Sequence, residues 1–170
     1  MMVRIYTLTL APSLYSATIT PQIYPEGKLR CTAPVFEPGG GGINVARAIA
    51  HLGGSATAIF PVGGVTGEHL VSLLADENVP VATVEAKTGP GRIYTYMWKQ
   101  AVRHRFVMPG AALNEDEFRQ LEEQVDESGA ILVISGSLPP GVKLEKLTQL
   151  ISWRKTKGSA PASSTVLAKR

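Results

Sequence analysis

Pro38-Gly39-Gly40-Gly41-Gly42-Ile43-Asn44-Val45-Ala46-Arg47-Ala48-Ile49-Ala50-His51-Leu52-Gly53 is the stretch on which the reading of this chain turns. Four consecutive glycines open onto a run of helical periodicity that closes on a glycine of its own. Glycine inside regular structure costs roughly 1 kcal/mol relative to alanine, so a run of them serves a tight turn, a flexible loop or a ligand that must approach the backbone. The first N–H groups of a helix have no partner within it, and here they point back at the bare loop, which suits anions or sugar hydroxyls. No Lys-Ser or Lys-Thr pair follows the last glycine, so the stretch is not a P-loop. A Gly-x-Gly-x-x-Gly fingerprint would need a further glycine near Val45.

Working outward, alternation predicts a strand over 3–10 and a strand pair over 16–24 and 28–36, turned at Pro25-Glu26-Gly27. A helix follows the glycine loop over 43–52, then a strand over 56–62 and a helix over 66–78, where Leu70, Leu73 and Leu74 recur at helical spacing. Residues 79–86 read as a strand. Asn114 with Glu117 three positions on reads as a capping box opening a helix to about Val125. A short buried strand over 130–135 and a helix beginning at 144–151 complete the order. Strands alternating with helices imply a mostly parallel sheet in an α/β fold.

The chain has 170 residues, 44% hydrophobic and 18% charged, an ordinary globular composition. The one cysteine, Cys31, has no partner in the chain, and a reducing cytoplasm is the natural setting. No apolar run approaches the roughly 20 residues that span a bilayer. Of the 17 basic residues five lie at Arg154, Lys155, Lys157, Lys169 and Arg170; the remaining 12 fall two short of the 14 acidic ones. The net charge of +3 therefore belongs to the tail, and nucleic-acid binding is not read from it. Residues 87–105 form a second window free of acids, carrying Lys87, Arg92, Lys99, Arg103 and Arg105.

Gly41-Gly42-Ile43-Asn44-Val45-Ala46 sits in the stretch where PfkB-type (ribokinase-like) sugar kinases carry a glycine-rich Asn-x-Ala motif on the floor of the sugar site. Together with Val3–Leu14, Phe106-Val107-Met108-Pro109-Gly110 and Ile134-Ser135-Gly136-Ser137-Leu138-Pro139-Pro140-Gly141, it makes the chain resemble the N-terminal half of that family, over most of residues 2–87 and 105–151. The resemblance implies a three-layer α/β/α core with a small β lid, the lid falling to residues 12–37 and 92–108, and residues 1–151 as part of one kinase domain. Residues 152–170 are expected to be an aberrant, largely disordered basic tail. Because the two basic windows are where the resemblance is expected to lapse, a shifted reading frame is the expected origin of both. A sheet stopping after its N-terminal strands would also leave an unpaired edge.

The implied reaction is transfer of the ATP γ-phosphoryl group, with Mg2+, to the 1-hydroxyl of fructose 6-phosphate, giving fructose 1,6-bisphosphate in glycolysis. Tagatose-6-phosphate and 1-phosphofructokinase-type acceptors are the alternatives within the family. The sugar-contact residues carried over are Gly39, Gly40, Gly41, Gly42 and Asn44, with Lys28 on the lid, Arg92, and Ser137 after a strand end. Read without the family, Asn44 is a first-turn helix cap, Lys28 solvated surface and Ser137 a plain turn. At Tyr15 the family has an aspartate that bonds sugar hydroxyls. The family's Gly-Ala-Gly-Asp anion hole and base do not occur in these residues. No catalytic or metal residue is assigned, and His51, His69 and His104 are not read as catalytic. The chain is expected to be inactive, to bind a sugar phosphate, and to follow its relatives in dimerising through the lid, with no nucleic-acid or membrane partner; a non-catalytic binder or dimerising fragment is the reading from another class.

Overall fold

The computed structural model describes residues 3–98, 102–125, 129–156 and 161–166. Its main sheet joins β1 (Ile5–Leu8), β4 (Thr57–Val62), β5 (Val81–Glu85), β8 (Ile131–Gly136) and β9 (Pro161–Val166) in the order β5-β4-β1-β8-β9. Every pairing in it is parallel. The period-2 alternation of the strands sends residues to two separate cores. Ala58 and Phe60 of β4 pack with Ile43 and Ala46 of α1 (Gly41–His51) and Leu70 and Leu74 of α2 (Gly64–Asp76). Ile59 of β4 and Leu8 of β1 face the other way, onto Phe118 and Leu121 of α3 (Glu115–Glu123) and Leu147 and Leu150 of α4 (Leu144–Thr156). The result is helix, sheet, helix: the three-layer core expected.

A second sheet, β3-β2-β6-β7, is the lid. It contains β2 (Ser13–Thr20), β3 (Val35–Gly39), β6 (Gly91–Trp98) and β7 (Val102–Val107). β2 runs antiparallel to β3 and parallel to β6, and β6 runs antiparallel to β7. The first pair departs from the sequence reading. Its strands are 13–20 and 35–39, displaced outward from the expected bounds, while Ser13 opposite Gly39 and Ala17 opposite Val35 centre the pair on residue 26, so Pro25-Glu26-Gly27 is the turn of a long connection, where it was expected. Pro21, Pro25 and Pro34 have no N–H for a ladder, which shortens both strands. Glu26 adopts φ 61° in the left-handed region, and Thr32 anchors the connection by accepting from the Ile19 N–H at 3.1 Å and donating its own N–H to the Ile19 carbonyl at 3.0 Å.

The tail departs too. Residues 152–156 extend α4, and 161–166 form β9 against β8, in place of disorder. Arg154 is buried and donates to the Val125 carbonyl, so this end of α4 closes over the C-terminus of α3. β9 also covers the β8 edge that the sequence reading left bare. Lys157 and the residues after 166 lie outside the described residues.

Candidate functional site

α1 begins at Gly41, with Gly40 as N-cap at φ 126° and no side-chain cap of its own. Its first turn is held from elsewhere: the Ile43 N–H donates to Thr9 Oγ1 at 2.9 Å, both residues fully buried. The glycines earn their place by proximity. A Cβ on Gly42 would lie 2.6 Å from Thr9 Oγ1 and 2.7 Å from the Leu8 carbonyl oxygen. One on Gly41 would lie 2.5 Å from the Ser135 backbone carbon. The helix N-terminus is thus pressed between the ends of β1 and β8, where open parallel sheets bind ligands.

A cleft of about 320 Å3 opens there. Gly40, Gly41, Asn44 and Ser137 all line it, with Ser13 and Tyr15 from the lid. Asn44 caps nothing in α1 and is exposed to the cleft. Gly136, at φ 123°, lies against the Gly41 amide and leads the chain into Ser137 at the cleft. The other sequence candidates sit apart. Gly42 is buried beneath Thr9, and Gly39 ends β3, where a side chain would run into the Tyr15 ring. Lys28 lies in the 21–34 connection, its carbonyl accepting from the Tyr24 hydroxyl at 3.0 Å.

Arg92 does not line the cleft. It pairs in register with Leu14, so alternation puts it on the lid face opposite Tyr15, and its Nε and Nη2 donate to Thr66 Oγ1 at 3.2 and 2.8 Å. Among the described residues lining the cleft none is charged. The histidines are placed elsewhere. His51 stands 3.7 Å from Glu77 Oε2, His69 packs on the Phe36 ring at 4.9 Å, and His104 lines a separate lid groove. Ser13 and Pro139 were not singled out as cleft residues, although both lie inside stretches that carry the family resemblance.

A parallel α/β core whose glycine-opened helix meets a cleft under a β lid defines a sugar-kinase architecture, and the chain belongs to the pfkB family of carbohydrate kinases, whose profile matches residues 9–168 and so runs through both windows where the resemblance was expected to lapse. Among its relatives is the ATP-dependent 6-phosphofructokinase isozyme 2 of Escherichia coli, 82% identical over 160 residues, covering 92% of this chain and 52% of that protein. The isozyme 2 of Mycobacterium tuberculosis is 43% identical over 143 residues, covering 82% of this chain and 42% of that protein. The crystal structure of E. coli phosphofructokinase-2 in complex with fructose-6-phosphate superposes with a TM-score of 0.91 at 78% identity, over 97% of this chain and 55% of that one. The chain therefore spans about half the length of the relatives it matches.

Proposed function

We propose that this chain carries the sugar-acceptor half of an ATP-dependent 6-phosphofructokinase, and that the 170 residues alone bind the acceptor without phosphorylating it. The convergence of Gly40, Gly41, Asn44 and Ser137 on one cleft supports the reading. Asn44 offers both a donor and an acceptor to sugar hydroxyls, and the glycines let a ligand reach the backbone amides at the start of α1. The relative solved with fructose-6-phosphate supports that acceptor over the tagatose and 1-phosphofructokinase-type alternatives. The named relatives are ATP-dependent. Mg2+ is the metal such chemistry employs, but the cleft has no carboxylate, and no group of three His, Cys, Asp or Glu side chains comes together among the described residues. These residues do not make a magnesium site, and no general base stands at the cleft.

Self-association through the lid is part of the proposal. Ile19, Val35, Phe106 and Val107 are exposed on lid strands, and the lid carries an apolar groove lined by Thr20, Ile23, Tyr94 and Phe106. No described helix is long and apolar enough to cross a membrane. With an unpaired Cys31 we place the chain in the cytoplasm. Calorimetric titration with fructose 6-phosphate tests the reading: saturable binding is expected, weakened about tenfold by Asn44→Ala, roughly 1.4 kcal/mol. A coupled ATP-turnover assay is expected to read zero. Binding that ignores Asn44→Ala would move the acceptor out of this cleft.

A further inference from the structure

Tyr15 is the largest side chain lining the cleft, and its surroundings define what the cleft can recognise. Its ring lies against the bare α-carbon of Gly39, where any Cβ would collide with it. It stands on the lid face that also presents Ser13, opposite in register to Glu37 of β3. It therefore brings an aromatic side chain to the wall of the cleft, beside the Gly40 and Gly41 floor. An aromatic face offers apolar area and a negative quadrupole, which match the C–H face of a sugar ring and not a phosphate dianion.

Charge recognition is missing from the same cleft. No Lys, Arg or His is among its described lining residues. Arg92 is turned to the far face of the lid and engaged with Thr66. What remains for an anion is the N-terminus of α1, and a single helix dipole at a solvent-open site changes affinity only a few-fold.

We propose that Tyr15 makes this cleft recognise the ring of a sugar and not its charge, so that a neutral ketose and its phosphate ester bind with similar affinity. Tyr15 is the specificity-determining residue, supplying the stacking face, while Asn44 and Ser137 bond the hydroxyls. This rests on the reading of the cleft as the sugar site.

The test is NMR titration of the whole 170-residue chain with fructose, fructose 6-phosphate and inorganic phosphate in turn. The expected result is less than a tenfold difference between the two sugars, with inorganic phosphate failing to displace fructose. Tyr15→Leu, which removes the aromatic face, is expected to weaken both sugars together, and Tyr15→Phe, which keeps it, to bind at least tenfold tighter than Tyr15→Leu. Fructose 6-phosphate binding tenfold or more tighter than fructose overturns the inference while leaving the cleft as the sugar site. Binding of neither sugar overturns both readings. The ratio in the unmodified chain decides the matter even if Tyr15→Leu does not fold.

Discussion

Gly41 and Gly53 are the same residue under different constraints. At Gly41 the limit is space, because an added methyl meets the Ser135 backbone, which cannot rotate away. Gly41→Ala should therefore destabilise by about 1–3 kcal/mol through overpacking, read as a lower urea midpoint at unchanged slope. At Gly53 nothing lies within 4 Å, and only φ 82° objects. Gly53→Ala should cost about 1 kcal/mol of backbone strain and leave the cleft untouched. The glycine run was legible in the sequence as a place of close approach. That Gly41 and Gly42 do the packing while Gly40 and Gly41 face the cleft was not, because the neighbours responsible, Thr9 and Ser135, are distant in the chain.

Among the elements, α1 and α2 are clamped by Arg47, whose Nε and Nη2 each donate to a Glu77 oxygen at 2.7 Å while Nη1 reaches the Pro38 carbonyl at 3.1 Å. One guanidinium thus ties the glycine-loop helix to its neighbour and to the end of the lid. The Arg47 hydrogen bonds hold the Glu77 carboxyl below the usual glutamate range, outweighing desolvation by burial. A carboxyl depressed in the folded state adds stability above its unfolded value and loses it as pH falls through the folded one. Glu77→Gln should lower stability by about 1 kcal/mol at pH 7, and the gap from the parent chain should close in acid, as followed by circular dichroism melts across pH. α3 shows the opposite case, where the local code sufficed. Asn114 Oδ1 accepts the Glu117 N–H at 2.8 Å and Glu117 Oε2 accepts the Asn114 N–H at 2.9 Å, the capping box read from sequence. Asn114→Ala should cost about 1 kcal/mol in the same melts.

At the scale of the whole molecule, the two cores share one sheet, so damage to either should report on both. Phe60, fully buried between β4 and α2, is the largest fully buried side chain of the α1–α2 core. Phe60→Ala should cost about 3–5 kcal/mol, enough to consume much of the stability typical of a domain this size. A single unfolding transition shared by the fluorescence of Trp98 and Trp153 and by far-ultraviolet circular dichroism is expected. Two separate transitions would mean that the layers fold independently.

The α/β class, the glycine-opened helix, the capping box and the family were all legible in the residues alone, because each is written in local periodicity or a short motif. The sequence reading found the first lid pair and its turn but misjudged where the strands end, because prolines remove donors that alternation alone does not count. It expected disorder where α4 and β9 form, since composition is blind to a strand edge waiting to be paired. Which candidates meet followed from long-range pairing. Parallel pairing of β1 and β8 carried Ser137 to Asn44 across more than half the chain. The register of β6 on β2 set Arg92 opposite Leu14, on the face away from Tyr15, because one residue of register exchanges the faces of a strand.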